Sequence, residues 1–311
     1  MIVTVTLNPA VDKTLLVESL IPGQVHRVLS SRQDEGGKGI NVSKVLKSLG
    51  LDSAATGFLG GASGEYILSK LRERGIRADF VSVSGETRTN IKVTSSDGTT
   101  TDLNEKGTPI PAEEYGKLRH HLQSLTKPGD IVLFAGSLYN GSENTVYAEL
   151  VSDCRERGVR TMVDTSGEAL QAAAKAIPTV LKPNLEELGQ LLGKIPESRE
   201  EIVSACRKLL SGGIERIAVT LGSEGALLFT EREAWCAGAV PVKVSCTVGS
   251  GDAFAAGLLY AMEKGYSDDR ALAFAVGAGS ANAAKSGTEP PSAEDIREMV
   301  SLVSVQKIKY Q

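Results

Sequence analysis

A glycine-rich turn followed by an acidic residue is the clearest chemical feature of this sequence. Gly249-Ser250-Gly251 precedes Asp252, and apolar residues at helical spacing follow as far as Gly265. The turn is therefore predicted to open a helix, whose first N–H groups and dipole attract an anion such as a phosphate. A carboxylate beside that anion would serve as general base for a hydroxyl that attacks the phosphorus. The alternative is that Asp252 only caps the helix.

A second glycine-rich turn also precedes a helical stripe. Gly36-Gly37-Lys38-Gly39 leads into Asn41 and then into apolar residues that end at Gly50. It is not a Walker A loop, because glycine follows Lys38, and neither turn has the dinucleotide-binding spacing. Its backbone, together with Lys38 and Asn41, can hold sugar hydroxyls and a phosphate. The alternative is an ordinary helix start with a surface lysine.

A predicted hairpin carries polar residues on one face. Arg88–Ser95 and Thr100–Asn104 are extended segments around a Ser-Asp-Gly turn. Alternate residues of a strand point to the same side, so Arg88, Asn90 and Lys92 share a face. Arginine is a natural bidentate partner for a phosphate, which favours a binding face over a merely solvated one.

Strand and helix patterns alternate along most of the chain. The predicted strands are Ile2–Leu7, Ala54–Phe58, Phe80–Val83, Ile131–Phe134, Thr161–Val163, Thr179–Leu181, Ile214–Leu221, Ala226–Phe229 and Val240–Val248. The predicted helices are Val42–Leu49, Ser63–Arg74, Glu113–Leu125, Glu143–Arg157, Glu186–Leu192, Phe254–Met262, Asp268–Lys285 and Ser292–Val303. Repeated alternation predicts an α/β fold with a mostly parallel sheet and helices on both faces.

Two excursions interrupt this alternation, and we expect them to form a small second sheet. They are the hairpin and an earlier pair of short extended segments, Lys13–Glu18 and Gln24–Ser31, around a Pro-Gly turn. Small, polar or acidic residues meanwhile occupy six strand ends, at Asn8, Ser137, Asp164, Asn184, Gly222 and Gly249. Open α/β sheets bind ligands at this carboxyl edge, so the pattern predicts a site there.

Composition narrows the class of protein. The 311 residues, 41% hydrophobic and 23% charged, suit one large α/β domain, or one domain with a small appendage. A net charge of −4 argues against a nucleic-acid partner, and no apolar run reaches the length of a membrane span. The four cysteines lack a Cys-x-x-Cys pair and fit neither a zinc site nor a disulfide framework. With no signal peptide ahead of the first strand, a cytoplasmic protein is expected.

The chain resembles the ribokinase-like (PfkB) carbohydrate kinases in three motifs, at Thr6–Asp12, Gly36–Ser43 and Thr247–Phe254. The likeness runs almost from end to end. It implies a single kinase domain over residues 1–311, built as a three-layer α/β/α sandwich. It also implies a small β-sheet lid from segments at about 11–34 and 86–105, and a homodimer that packs through the lids.

The resemblance assigns the chemistry to particular residues. Asp252 would be the general base, and Gly249, Ser250 and Gly251 would donate N–H groups to the transferring phosphoryl group. ATP and Mg²⁺ would be the cofactors, with Glu187 beside the metal ion. The nucleotide site would comprise Lys182, Asn184, Thr220, Gly222, Ser223, Glu224, Gly225 and Asn282. Without the family, Glu187 and Asn282 are taken for residues on helix surfaces.

The same resemblance describes the acceptor. The sugar pocket would comprise Asp12, Gly37, Lys38 and Asn41, with Arg88, Asn90, Arg27, Lys92 and Ser137 around a phosphate already on the substrate. Such cations predict a sugar phosphate, and the nearest resemblance is to members that convert D-fructose 1-phosphate to fructose 1,6-bisphosphate. Members that act on tagatose 6-phosphate or fructose 6-phosphate are the alternatives. A non-catalytic sensor and a dehydrogenase are alternatives from other classes.

Overall fold

The structure is a computed structural model that describes residues 1–285 and 289–309. Its strands are β1 (Ile2–Thr6), β2 (Ala10–Val17), β3 (Ser30–Gly36), β4 (Ser53–Leu59), β5 (Arg77–Ala78), β6 (Val81–Ser82), β7 (Arg88–Ser95), β8 (Thr100–Asn104), β9 (Ile131–Ala135), β10 (Arg160–Asp164), β11 (Val180–Leu181), β12 (Arg216–Thr220), β13 (Ala226–Thr230), β14 (Ala234–Ala237) and β15 (Val305–Lys307). Its helices are α1 (Lys38–Ser48), α2 (Gly61–Glu73), α3 (Ala112–Leu125), α4 (Val146–Glu156), α5 (Gly167–Lys175), α6 (Leu185–Leu192), α7 (Arg199–Ser211), α8 (Ser250–Glu263), α9 (Asp268–Ala284) and α10 (Ala293–Leu302).

The main sheet is mostly parallel. Its strand order is β15-β14-β13-β12-β11-β10-β9-β1-β4-β5, and β6 also pairs with β4. The pairs from β12 to β5 are parallel, whereas β13, β14 and β15 add antiparallel strands at one edge. Because parallel strands end at the same edge, the ends of β1, β9, β10, β11 and β12 line one side of the molecule.

Alternate residues of the central strands pack into apolar layers on opposite faces of the sheet. Val3 and Val5 of β1 belong to a cluster with helices α3 to α7, while Ile2 belongs to one with α1, α8, α9 and α10. A further cluster packs α2 against Ala55 and Leu59 of β4. Strands covered on both faces can be buried throughout, as all five residues of β1 are. The predicted three-layer α/β/α sandwich is confirmed.

The small second sheet is also present. Its order is β3-β2-β7-β8, and the β7–β8 hairpin has the predicted bounds. Strand β2 pairs antiparallel with β3 and parallel with β7, so Asp12 lies opposite both Asp34 and Asn90. Since β2 begins soon after β1 ends, this sheet is attached at the carboxyl edge of the main sheet. We call it the lid sheet.

One strand of the lid sheet differs from the prediction. The segment predicted as Gln24–Ser31 is shifted, and strand β3 occupies Ser30–Gly36. At its acidic end, the Glu35 carboxylate is 2% exposed and lies 2.6 Å from Arg74 and 3.6 Å from Lys44. These two cations compensate the buried carboxylate, so this acidic stretch can pair as a strand.

The predicted strand Val240–Val248 is wrong. This segment is an irregular loop. Pro241 lacks an N–H group, and the N–H groups of Ser245 and Cys246 both donate to the carbonyl of Ala283 instead of to a strand. Helix α8 therefore follows a loop, although it begins where the glycine pattern predicts.

Several elements are absent from the sequence prediction, namely helices α5 and α7 and the edge strands β14 and β15. Strand β15 pairs with β14, which brings the segment after α10 back to the sheet. In residues 1–285 and 289–309, none of the helices has the length and apolar character needed to span a bilayer.

Candidate active site

The glycine-rich turn before Asp252 forms the start of helix α8. Gly249 has a φ of +81°, which glycine adopts at little cost, and the N–H of Ser250 donates to the carbonyl of Thr247 at 3.2 Å. The N–H groups of Gly251 and Asp252 lie in the first helical turn, where the helix offers them no acceptor. Gly251 is exposed, so this turn can receive an anion.

Asp252 is a buried carboxylic acid at this helix start, with 6% of the residue exposed. Its Oδ2 accepts a 2.9 Å hydrogen bond from the side-chain amide of Asn41, in the first turn of α1. Burial raises the pKa of Asp252 to about 6, although the positive charge of Lys38 acts in the opposite direction. At neutral pH the carboxylate is therefore ionised and still basic enough to accept a proton. The helix starts that follow the two predicted glycine-rich turns therefore meet at the Asn41–Asp252 hydrogen bond.

A second carboxylate, Asp164 at the end of β10, belongs to the same site. Its Oδ1 lies 2.9 Å from Nζ of Lys38 and 3.2 Å from Nζ of Lys182, and the residue is fully buried. Burial by itself raises the pKa of Asp164, but the Lys182 and Lys38 charges outweigh it and hold this pKa below its usual range. The sequence prediction places Asp164 at the strand edge but gives it no role. An acid at the end of a central parallel strand was the available signal.

Lys38 remains charged at this position. Burial by itself lowers the pKa of Lys38, but the negative charges of Asp164 and Asp252 outweigh it and raise this pKa above the usual lysine range. Lys182 lies beside the start of α8. A methyl group added at Gly251 would be 4.0 Å from Nζ of Lys182. Lys182 therefore lies beside the turn that can receive an anion, and the charge of Lys38 acts on Asp252 at the same helix start.

Asn184 and Glu187 cap helix α6 for one another. Oδ1 of Asn184 accepts from the N–H of Glu187, and Oε2 of Glu187 accepts from the N–H of Asn184, both at 2.8 Å. Glu187 is only 8% exposed, so its interpretation as a plain surface residue is wrong. The negative charge of Glu187 raises the pKa of Lys38, so Glu187 lies close to Lys38 and its partner Asp164.

A cavity of about 550 Å³ opens beside the start of α8. It is lined by most of the predicted nucleotide residues, namely Asn184, Thr220, Gly222, Ser223 and Gly225, and by Ser250 and Gly251. Its apolar wall includes Val240, Val242, Val244, Phe254, Val276 and Ala283. The alternating valines that suggest a strand therefore line this cavity. Its size and mixed lining are typical of a small-molecule site.

Three of the predicted nucleotide residues, Lys182, Asn282 and Glu224, are not among those that line this cavity in the described part of the chain. Asn282 is 8% exposed, and its amide donates to the carbonyl of Val248 at 2.9 Å and to Oγ of Ser250 at 3.3 Å. It holds the turn before α8 and is not on a helix surface. Glu224 is exposed in the short 3₁₀ turn after β12.

The lid sheet presents a polar pair at the same edge. The amide of Asn90 donates to Oδ1 of Asp12 at 3.0 Å, and burial raises the pKa of Asp12 even though this bond opposes it. Oδ1 of Asn90 is buried without a hydrogen-bond partner among the described residues. Gly36 makes room for this pair, because a methyl group there would lie 2.1 Å from Oδ2 of Asp12.

Arg88 is tied to the carboxyl end of β1. Its Nε and Nη2 donate to the carbonyl of Asn8 at 3.2 and 3.0 Å, and its Nη1 donates to the carbonyl of Glu105 at 3.0 Å. The guanidinium is therefore fixed beside the lid sheet by backbone oxygens. Its five N–H groups leave further donors for an anion.

Three other residues predicted to hold the substrate phosphate, Arg27, Ser137 and Lys92, form no hydrogen bond or ion pair with Asp12, Asn90 or Arg88 in the described part of the chain. Arg27 lies exposed in the loop between β2 and β3. Ser137 is exposed after β9, next to the glycine whose methyl substituent would lie 3.7 Å from Cβ of Lys38. Lys92 faces Asp102 across the hairpin at 3.8 Å.

The sequence and the fold are similar to those of known carbohydrate kinases. Residues 4–295 match the pfkB family carbohydrate kinases. The chain is 37% identical over 310 residues to 1-phosphofructokinase from Bacillus subtilis, covering 99% of this chain and 100% of that one. It is 34% identical over 311 residues to tagatose-6-phosphate kinase from Staphylococcus epidermidis, covering 99% and 100%. The crystal structure of phosphofructokinase-2 from Escherichia coli in complex with potassium has a TM-score of 0.93 at 29% identity, covering 97% of this chain and 98% of that one. The chain therefore belongs to the pfkB family of carbohydrate kinases and is an ATP-dependent sugar-phosphate kinase.

Proposed function

We propose that the enzyme transfers the γ-phosphoryl group of ATP to D-fructose 1-phosphate and forms fructose 1,6-bisphosphate, with Asp252 as general base. The observation that carries this proposal is the buried Asp252 carboxylate beside the open N–H groups of α8, with a pKa of about 6. The sugar hydroxyl oxygen forms the new P–O bond while the bond from the γ-phosphorus to the bridging oxygen breaks. Asp252 takes the hydroxyl proton, and ADP leaves.

Charge on the transferred group meets fixed donors in this arrangement. The N–H groups of Gly251 and Asp252 point out of the first turn of α8, and Lys182 lies beside Gly251. Such preorganised donors stabilise a transition state more than mobile water does, because they need no reorganisation. The protonated Lys38 adds a second positive charge on the sugar side of Asp252.

The cavity beside α8 supplies space for the nucleotide. Its apolar wall suits a base, and its polar end at Thr220, Gly222 and Ser223 suits a ribose or a phosphate. One end of the cavity is formed by Ser250 and Gly251, so a nucleotide bound there would direct its phosphates toward the open N–H groups.

Mg²⁺ fits the acid at the start of α6. The cap uses one carboxylate oxygen of Glu187, and no group of three or more metal-binding His, Cys, Asp or Glu side chains exists in residues 1–285 and 289–309. A site with one or two carboxylates suits Mg²⁺, which keeps several waters and binds to the phosphates of its nucleotide. When bound, the ion would supply positive charge to the phosphates of ATP. Glu187 is the residue that would hold it.

The proposed acceptor site comprises the polar pair Asp12 and Asn90 and two cations, Arg88 and Lys38. Asp12 offers a half-buried carboxylate to sugar hydroxyls, and Asn90 offers an amide oxygen that has no partner among the described residues. Arg88 and Lys38 supply positive charge for a phosphate that the sugar already carries. The full-length similarity to a 1-phosphofructokinase supports fructose 1-phosphate as that sugar.

Tagatose 6-phosphate is the second candidate acceptor, because a tagatose-6-phosphate kinase is similar over the full chain at 34% identity. Fructose 6-phosphate is the third, because phosphofructokinase-2 shares the fold. All three would use the same base and nucleotide cavity. A sensor without activity is disfavoured by the buried, ionisable Asp252 beside an open helix start.

The proposed function is tested by steady-state kinetics with ATP, Mg²⁺ and each of the three sugar phosphates. We expect the highest kcat/KM for fructose 1-phosphate, and fructose without a phosphate serves as the control for the role of the cations. A higher kcat/KM for tagatose 6-phosphate or fructose 6-phosphate would reassign the substrate. Activity with none of the three would contradict the kinase assignment.

A homodimer through the lid sheets is also proposed. Val25 is 98% exposed, Leu29 59% and Leu103 56%, and all three belong to the lid segments. Val25 and Leu29 lie in the loop before β3 and Leu103 lies in β8, and exposed apolar side chains of this kind suit burial against the lid of a second copy. Light scattering should give a dimer that the change Val25→Asp with Leu29→Asp converts to a monomer. Ile195→Asp, at an apolar residue 55% exposed outside the lid, should leave the dimer intact. A monomeric wild type would contradict this assembly.

A further inference from the structure

One buried carboxylate oxygen is shared by two lysines. Oδ1 of Asp164 lies 2.9 Å from Nζ of Lys38 and 3.2 Å from Nζ of Lys182. The other oxygen, Oδ2, is buried and has no hydrogen-bond partner among the described residues. All the polar contacts of the Asp164 side chain in that part of the chain therefore go to the two ammonium groups. A fully buried carboxylate is costly unless such partners compensate it.

The two lysines come from different elements and serve different sides of the site. Lys38 begins α1, near Asp252 and the lid sheet, and its side chain is 39% exposed. Lys182 follows β11, lies beside Gly251, and its side chain is 4% exposed. Among the described residues, neither ammonium group forms a hydrogen bond with helix α1 or strand β11. Their shared contact with Asp164 therefore fixes the positions of both charges.

We propose that Asp164 is a positioning residue that holds Lys38 and Lys182 on either side of the phosphoryl path and offsets part of their charge beside Asp252, a role that depends on the proposed kinase function. Without the carboxylate, the two ammonium groups would repel one another across a low-dielectric site. Each would then lose its fixed distance from the helix start. Asp164 acts through the lysines and does not touch the reacting atoms.

The charges around Asp252 predict the direction in which its pKa should change when Asp164 is replaced. Four groups face Asp252, namely Lys38 and Asn41 from α1, Asp164 from β10 and Lys182 from the end of β11. Burial is the largest cause that raises the pKa of Asp252, and the Asp164 charge raises it further, whereas both lysines and the Asn41 hydrogen bond lower it. Removal of the Asp164 charge should therefore lower the pKa of Asp252. Removal of the Lys182 charge should raise it.

Asp164→Asn is the direct test, because it keeps the shape and removes the charge. We expect kcat to fall by about 10²-fold, as for a lost transition-state donor. We also expect the acid limb of the kcat/KM profile to move to lower pH. Lys182→Met should move that limb to higher pH. An acid limb of Asp164→Asn that stays in place, or moves to higher pH, would overturn the proposal.

Asp130→Asn is the matched control. Asp130 is another buried acid of the same sheet, but it lies just before β9 at the opposite edge and pairs with the terminal amino group at 2.7 Å. Its variant should lose stability and keep the acid limb of the wild type. A purely structural role of Asp164 would make the two variants behave alike.

A readout without catalysis separates this role from the proposed function. The ¹³C signal of the Asp252 carboxyl, assigned with an Asp252→Asn variant, should titrate at lower pH in Asp164→Asn than in the wild type. Wild-type protein that phosphorylates no sugar phosphate would contradict the kinase function, and an unchanged or raised Asp252 titration would contradict the positioning role. If Asp164→Asn does not fold, Lys182→Met provides the test. The pKa of Asp252 should rise in that variant, and a pKa that does not rise would overturn the positioning role of Asp164.

Discussion

The side-chain amide of Asn41 donates a 2.9 Å hydrogen bond to Oδ2 of Asp252, although the two residues are 211 positions apart in the chain. This bond joins the first turn of α1 to the first turn of α8. It fixes the direction of the carboxylate at the place where the two helix starts meet.

Loss of this bond should shift the pH dependence of the enzyme. In Asn41→Ala the ionised form of Asp252 loses a donor, so its pKa should rise above about 6. Because only the ionised form accepts a proton, the acid limb of kcat/KM should move to higher pH by about one unit, the size of a hydrogen bond to a charged group. Kinetics from pH 5 to pH 8 measure this shift.

The control for that change is Lys47→Ala on the same helix. Lys47 pairs with Asp52, whose side chain is 88% exposed. We expect no movement of the acid limb in this variant. Equal shifts in both variants would mean that α1 acts through its stability and not through Asn41.

Gly36 should be essential to the sugar site. In Gly36→Ala the new methyl group would lie 2.1 Å from Oδ2 of Asp12, so the carboxylate must move. A displacement of about 1 Å at a positioning residue can cost on the order of 10²-fold in rate. We expect the KM for the sugar phosphate to rise by about tenfold or more, with the KM for ATP within about twofold of the wild-type value.

Gly116→Ala is the matched glycine control. Gly116 lies in α3, where no atom lies within 4 Å of the new methyl group, and alanine is the better helix former. This variant should keep both KM values and unfold at a slightly higher temperature. A normal sugar KM in Gly36→Ala would remove Asp12 from the sugar site.

Glu187→Gln separates capping from metal binding. Glutamine keeps an oxygen that can accept from the N–H of Asn184, so the free energy of unfolding should change by less than about 1 kcal/mol. The lost charge should raise the Mg²⁺ concentration for half-maximal activity by about tenfold or more. Titration of activity with Mg²⁺ and thermal unfolding measure the two effects independently.

Helix α10 offers the control for this change. Its start has the same reciprocal cap, formed by Ser292 and Asp295. Asp295→Asn should leave the Mg²⁺ requirement unchanged. An unaltered Mg²⁺ requirement in Glu187→Gln would exclude this residue from the metal site.

Local patterns account for what the sequence predicts well. Periodicity and turn residues predict the buried strands β1 and β9, the β7–β8 hairpin, and the helices that follow Gly36-Gly37 and Gly249. The layered fold follows from their alternation. The meeting of Asn41 with Asp252 does not, because no local pattern specifies which helix starts come together.

Other features depend on tertiary partners that the sequence does not reveal. Glu35 is buried in a strand only because Arg74 and Lys44 come to it from other elements. The shared anchor at Asp164 likewise depends on two lysines that lie on either side of it in the fold. The alternation after Val240 has a different cause, since those valines line a cavity and pair with no strand.

Turnover of Asp252→Asn is the most direct test of the general base. Asparagine keeps the size of the side chain and cannot accept the proton, so kcat should fall by about 10²-fold or more while ATP binding measured by calorimetry remains. Asp269→Asn, at an acid in the first turn of the neighbouring helix α9, should keep the wild-type kcat. A kcat for Asp252→Asn within about threefold of the wild-type value would contradict the account, since a general base contributes on the order of 10² or more.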